Sequence, residues 1–490
     1  MAAMTGHTAP TVIEHLIIDG EHVEGRGMEI KVFNPATEDV IATIPGASLE
    51  QVDLAVAAAR RAFDGGPWPR LSPAERSALL HRFCDAFERR VPELIATVVT
   101  EVGTPIQIAD PLQVGSALVH FRNYARLAAR DLTQDLGPDA MPPSHSELAY
   151  RPAGVAVGVT AYNFPLMLAA SKIGAALAAG CTTVLLPSPR TPLTALIIGE
   201  LALEAGMPPG VVNVIVGGPE IGVAATHRGD VDRVSFTGSV GVGQAIMRQA
   251  VDHVTHVVLE LGGKSPAIVL PSLELDLDAV AQLHLRYMRN AGQGCASPTR
   301  ILVPEEKMEQ FLELSRQVFA TVPVGDPWDP ETVVGPLIRP EHRERVEGFV
   351  ERALATGGTV LAGGGRPDLD RGWFMNPVLV GDVAWDAEIA QEELFGPVSV
   401  LFGYRDLDEA VELANSTRFG LAAYILGPDL DEARALAGRL RAGSVYINGG
   451  GGIRPDAPFG GWGASSIGRE WGAEGIREYL EPQHIQWRTA

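Results

Sequence analysis

The chain is poor in cysteine: Cys84, Cys181 and Cys295 are widely spaced, odd in number and without metal-ligand spacing. That excludes a disulfide framework and a zinc motif, and it suits a reducing cytoplasm. A long hydrophobic run is also missing. The most apolar stretch, Leu166 to Leu186, is interrupted by Lys172, Gly174, Gly180 and Thr182, which reads as buried α/β structure rather than a membrane span. No charged n-region precedes an apolar core in Met1–His7, so no secretory leader is expected. Basic residues are in deficit. With Lys and Arg at 39 against 60 Asp and Glu, the net charge is -21, which argues against nucleic acid and anionic membrane as partners.

What is present is length and alternation. At 490 residues the chain exceeds one ordinary core, and two or three domains are expected. His15 to Val23 reads as a hairpin turning at Asp19-Gly20. Apolar spacing of three and four marks amphipathic helix from Leu49 to Phe63 and again from Pro73 to Val102. From Gly154 to Leu261 short apolar strands alternate with helices: strands at 155–160, 183–186, 211–216, 233–236 and 256–261. That is the signature of a doubly wound parallel sheet. A second α/β series runs from Ala267 to about Asn448, and Arg130–Tyr150 and Glu481–Ala490 fit neither series and read as pairing arms. Cys84 and Cys181, set among apolar neighbours, read as buried.

Two segments carry chemistry. Cys295 ends Asn290-Ala291-Gly292-Gln293-Gly294-Cys295, a thiol among small residues that a substrate can approach. Glu260 opens Glu260-Leu261-Gly262-Gly263-Lys264-Ser265-Pro266, a carboxylate with little bulk around it. Together they suggest covalent catalysis through a thioester, with Glu260 activating the water that cleaves it. Phe236-Thr237-Gly238-Ser239-Val240-Gly241-Val242-Gly243 lies between a strand and a helix and is either a phosphate-binding turn or a tight packing turn. Asn163, in Thr160-Ala161-Tyr162-Asn163-Phe164-Pro165, is either an oxyanion donor or the cap of the next helix.

With Glu392-Glu393-Leu394-Phe395-Gly396-Pro397-Val398, Pro458-Phe459-Gly460-Gly461 and Gly468-Arg469-Glu470, these blocks resemble the NAD(P)-dependent aldehyde dehydrogenases. The resemblance spans Asn34-Pro35-Ala36-Thr37 to the tail. It implies a Rossmann-like doubly wound cofactor domain (1–130 and 151–263), an α/β catalytic domain (264–465) and a small β oligomerisation arm (131–150 and 478–490). It implies oxidation of an aldehyde to a carboxylic acid, with NAD or NADP as acceptor and NAD preferred, in a homodimer or homotetramer. The implied catalytic residues are Cys295, Glu260 and Asn163, with Lys172 and Glu470 as an ion pair passing protons to Glu260 or serving structure alone. Thr160, Ala161, Tyr162, Gly238, Ser239, Gly243, Leu261, Glu393 and Phe395 are the implied cofactor contacts. Outside that resemblance, Glu392-Glu393 reads as a solvated acidic pair. Phe164, Ser171, Arg289, Gly294 and Phe459 are the implied substrate contacts, and the small Ser171 and Gly294 suggest a roomy tunnel.

Five departures stand out. Leu186 and Pro189 replace a lysine and a glutamate that contact the adenosine ribose in the family, and Arg190 is near enough in sequence to supply a cation. Gly463 replaces a lysine and Ser466 a glycine, with no consequence readable from sequence. Arg289 stands where an aromatic residue is common. It binds a substrate carboxylate or is satisfied by an acidic neighbour. A noncatalytic binding protein on the same fold is the alternative reading; the presence of Cys295, Glu260 and Asn163 together counts against it.

Overall fold

The computed structural model describes residues 10–449 and 454–489. The stretch Met1–His7 and the last arm residue, Ala490, lie outside the described residues. Among those described, the chain forms an eight-stranded sheet, a seven-stranded sheet, and sheets of three and two strands.

In the first large sheet five strands run parallel, in the spatial order His256–Glu260, Arg233–Thr237, Val155–Val159, Thr182–Leu186, Val212–Val214. These strands are almost wholly buried because helices cover both faces. Chain order reverses at Val155–Val159, the first strand in sequence, which lies between the fourth and the second. A ligand crevice is expected outside the carboxyl ends of strands at such a reversal. The edges are antiparallel, which the alternating pattern did not foretell. The hairpin His15–Ile18/Glu21–Glu24 closes one side, and the two residues Ser466–Ile467 close the other against His256–Glu260. The hairpin turns at Asp19-Gly20 as expected, with both residues at positive φ. Glu200 fastens it to the neighbouring helix by accepting from the rings of His15 and His22 at 2.7 and 2.9 Å.

The second sheet orders Thr359–Gly363, Val378–Gly381, Val398–Tyr404, Pro298–Pro304, Ser265–Val269, Ala422–Leu426 and Ser444–Ile447. All pairs are parallel except the Thr359–Gly363 edge. The two arms pair with each other: Leu480–Arg488 lies antiparallel to Pro143–Pro152, which pairs with Gln134–Ala140.

Two helical stretches differ from the sequence pattern. The run from 73 to 102 is two helices, Pro73–Arg89 and Val91–Val102, broken at Arg90 because Pro92 falls at a helix start and cannot donate within a continuing helix. The helix read from Pro165 to Ala179 widens into a π turn over Ala170–Gly174. That turn carries Lys172, and π bulges recur at functional sites. Cys84 and Cys181 are buried, as expected. Among the described residues no helix is long and apolar enough to cross a membrane.

Candidate active site

The carboxyl ends of the strands at the chain reversal carry the sequence blocks. Thr160 to Asn163 follow the central strand Val155–Val159, Gly238 and Ser239 follow Arg233–Thr237, and Leu261 follows Glu260. Ser239 caps the helix Val240–Ala250, accepting from the N–H of Val242, so that helix presents its N-terminal donors beside an exposed serine.

Cys295 is presented by a left-handed turn. Asn290, Ala291 and Gly292 all have positive φ (53°, 53° and 72°). Strain of this kind costs about 1–3 kcal/mol per non-glycine residue and persists only where surroundings hold it. Here they do: Asn290 accepts from Thr104 at 3.1 Å, and the Gln293 amide bonds the carbonyls of Asn290 and Pro336 while accepting from Ile338. Glycine is required at 292, where a Cβ would lie 2.1 Å from the Gly396 backbone. Asn163 does not act through the cap alternative: its side chain makes no capping bond to the helix Pro165–Ala169. Its amide nitrogen donates instead to the Gln293 carbonyl at 2.9 Å, two residues from Cys295. Its own carbonyl is fixed by Gln113 and Asn290. Burial pushes the Cys295 thiol up to about 12, helped by the negative charges of Glu393 and Glu260.

Glu260 lies at the centre of a row across three strands. Thr237, Glu260 and Ser466 are successive register partners. Lys172 is fully buried and reaches up from the π turn, donating to Thr237 Oγ1 at 2.7 Å and to Glu470 Oε1 at 2.6 Å. Ser466 donates to Glu260 Oε1 at 2.8 Å. Burial, and then the charge of Glu470, raise the Glu260 carboxyl well above its ordinary range, against the opposing pull of Ser466, Lys172 and Arg469. Lys172 and Glu470 form a buried ion pair whose charges act on Glu260.

The acidic pair divides. Glu392 is tied at the surface to Arg418, whereas Glu393 turns inward and accepts from the Gly263 N–H at 3.0 Å. Burial pushes Glu393 up to about 7. Arg345 bonds the carbonyls of Glu393 and Leu394, and His342 that of Phe395, holding this block in place. Phe395 and Tyr162 meet edge to face at 5.9 Å, and the Arg190 guanidinium lies 5.3 Å from the Tyr162 ring. Leu186 is buried, so no cation replaces the family lysine at that point. The fit to a dinucleotide rests on this structure's own features. The Ser239-capped helix N-terminus and the buried Thr160 Oγ1, which has no hydrogen-bond partner among the described residues, follow neighbouring strands of the first sheet, and the Glu393 carboxylate turns inward onto the Gly263 N–H.

On the substrate side, Phe164, Gly294 and Phe459 are half-buried. Ser171 does not leave open space. It is buried, donates to Met167, and accepts from the Trp471 indole at 2.8 Å. Trp471 in turn stacks on Phe459, with ring centroids 4.5 Å apart, and packs against His120. The room inferred from a small residue at 171 is thus filled by an aromatic side chain three hundred positions away. Arg289 has no hydrogen bond or ion pair to another described residue; the acidic neighbour of the alternative reading is not there. Trp471, Gln293 and Arg345 were not singled out by sequence, and Ser466 was noted only as standing in place of a glycine. Only Trp471, the bulky residue following Gly468-Arg469-Glu470, offered a signal.

Comparison with known proteins agrees. The family model described as "Aldehyde dehydrogenase family" matches residues 22–485. The chain is 40% identical over 470 residues to a 3-succinoylsemialdehyde-pyridine dehydrogenase of a Pseudomonas species, covering 95% of this chain and 96% of that protein. It is 38% identical to a geranial dehydrogenase of Castellaniella defragrans, covering 95% and 97%. Among solved structures, a mutant of aldehyde dehydrogenase C from Pseudomonas syringae with NAD+ and octanal superposes with a TM-score of 0.92 at 37% identity, covering 98% of each chain.

Removing one partner of the buried ion pair strands the other charge. Lys172→Met is expected to cost about 3–5 kcal/mol of stability, and the double variant Lys172→Met/Glu470→Met less than either single change. Urea-unfolding midpoints of the three variants check the order.

Proposed function

The chain belongs to the aldehyde dehydrogenase family and is an NAD(P)-dependent oxidoreductase, and from that premise we propose how its residues divide the reaction. The Cys295 thiolate attacks the aldehyde carbonyl carbon. The Asn163 amide and the Cys295 backbone N–H hold the oxyanion, and the structural support is that Asn163 is anchored to the Cys295 turn rather than to its own helix. NAD(P), when bound, supplies the acceptor for the hydride. Thr160, Ala161, Tyr162, Gly238, Ser239, Gly243 and Leu261 would hold it, with the Glu393 carboxylate accepting from the ribose hydroxyls and Phe395 packing against the nicotinamide. Glu260 then takes a proton from water as the water attacks the Cys295 thioester. The carboxylic acid leaves and the thiolate returns. Lys172 and Glu470 carry the proton onward. The one observation that carries this reading is the row of Thr237, Glu260 and Ser466, which joins the buried pair to the base.

NAD is the proposed physiological acceptor, since Leu186 offers no cation for an added phosphate and solved relatives hold NAD+. An apolar aldehyde suits the stacked Phe459 and Trp471. Arg289, free of partners among the described residues, is suited to an aldehyde bearing a carboxylate further along its chain. We read the three-stranded arm, with Leu136 and Trp487 exposed, as a surface for a second copy of the chain in a dimer or tetramer. The location proposed is cytoplasmic.

Reduction of NAD and NADP over aliphatic, aromatic, terpenoid and carboxylate-bearing aldehydes tests the assignment. Turnover is expected with NAD and is abolished in Cys295→Ala; equal rates in that variant would refute the role of Cys295. Because burial raises the thiol to about 12, thiolate accumulates only as pH rises toward that value. Without cofactor, alkylation of Cys295 by iodoacetamide should therefore climb steadily from pH 7 to 10, and a plateau near neutrality would contradict the geometry.

A further inference from the structure

Ser466 stands where the family carries glycine, and it faces the base directly. Its strand, Ser466–Ile467, pairs antiparallel with His256–Glu260, which puts Ser466 opposite Glu260. The Leu261 N–H to Ser465 carbonyl bond, at 2.8 Å, locks that register. Ser466 Oγ lies 2.8 Å from Glu260 Oε1 and 3.2 Å from the Gly468 carbonyl. A hydroxyl has one proton to give, and the nearer acceptor, which is also the one that can carry charge, takes it. The third wall is Gly460, where a Cβ would lie 2.7 Å from Oε1 and 3.0 Å from Ser466 Oγ. Oε1 is thus seated in a notch made by one hydroxyl and one bare stretch of backbone. Oε2 is equally buried but accepts no hydrogen bond from the described residues. The carboxylate is asymmetric: one oxygen is held and the other is unengaged.

We propose that Ser466 is a positioning residue for thioester hydrolysis, anchoring Glu260 through Oε1 so that Oε2 takes the proton from the attacking water. The proposal deepens the thioester reading and rests on it. In a site where Glu470 is a near neighbour, a donor to Glu260 also favours the ionised form that a base requires. A glycine at 466 offers no such donor.

The test uses 4-nitrophenyl acetate, which needs neither cofactor nor the natural aldehyde. The Cys295 thiolate forms a C–S bond to the acetyl carbon and 4-nitrophenolate leaves with the C–O electron pair. Water then attacks the thioester carbon, Glu260 takes its proton, and acetate and the thiolate separate. The nitrophenolate burst reports acylation, and the steady state reports deacylation. In Ser466→Ala the burst rate is expected to stay near that of the parent while deacylation falls about tenfold, the effect of losing one hydrogen bond to a charged group. The acid limb of deacylation should move up by about one pH unit, since one unit corresponds to that tenfold. Ser466→Thr, which keeps the hydroxyl, should restore both.

Deacylation and acid limb unchanged in Ser466→Ala would overturn the proposal. So would a loss in both phases that Ser466→Thr fails to restore, because that marks structural damage rather than positioning. A parent whose Cys295 is inert to the ester would overturn the thioester reading as well, whereas a parent that turns over the ester but reduces no NAD or NADP would leave this proposal intact and count against the assigned oxidation.

Discussion

The buried Lys172–Glu470 pair is the constraint on which the rest of the site depends. Two charges at 2.6 Å, both nearly inaccessible, are tolerable in an apolar sheet only if their remaining donors and acceptors are met. Thr237 meets one, at 2.7 Å, and Ser235 offers Glu470 another at 3.3 Å. Both lie on the strand Arg233–Thr237, so the pair fixes how the π turn at Ala170–Gly174 sits against the sheet. Glu470 is fixed in turn by two backbone bonds to Phe459. The same pair therefore positions the aromatic Phe459 and a charged neighbour of Glu260.

Electrostatics then distinguishes the two reacting groups. Glu260 adds a second carboxyl to a region with one buried cation, and its ionisation is opposed by burial and by Glu470. Cys295 is opposed by burial and by Glu393 and Glu260. Neither group is ionised cheaply in the free protein. Local donors surround both: Ser466 donates to Glu260, and at the Cys295 turn the amide of Asn163 is held by a web of Gln113, Asn290 and Gln293. Preorganised donors in a site that excludes water act with far less screening than the same groups in solvent.

Much of this was legible in the sequence, for a physical reason. The five parallel strands show themselves as short apolar runs because both faces are covered, and the chemistry-bearing blocks sit at their carboxyl ends, where local motifs survive. Cys295, Glu260, Asn163 and Glu393 were readable because each belongs to a short, constrained segment. What could not be read is register and distance along the chain. Nothing local says that Ser466 pairs with Glu260 across 206 positions, or that Trp471 covers Ser171 across 300. The antiparallel edges belong to the same class. Glu393 was named only through the family resemblance; what turns it inward, and leaves Glu392 at the surface, is the Gly263 N–H and Arg418 rather than the acidic pair itself.

Under the proposed mechanism Cys295 carries the acyl group and Glu260 releases it. Its most direct measurement is an acid-quenched single turnover of Glu260→Gln with NAD and an aldehyde the parent oxidises, followed by mass analysis of the peptide containing Cys295. About one NADH per active site and an acyl group on Cys295 are expected, with little further turnover. Sustained turnover at the parent rate, or NADH formed without any adduct on Cys295, would contradict it.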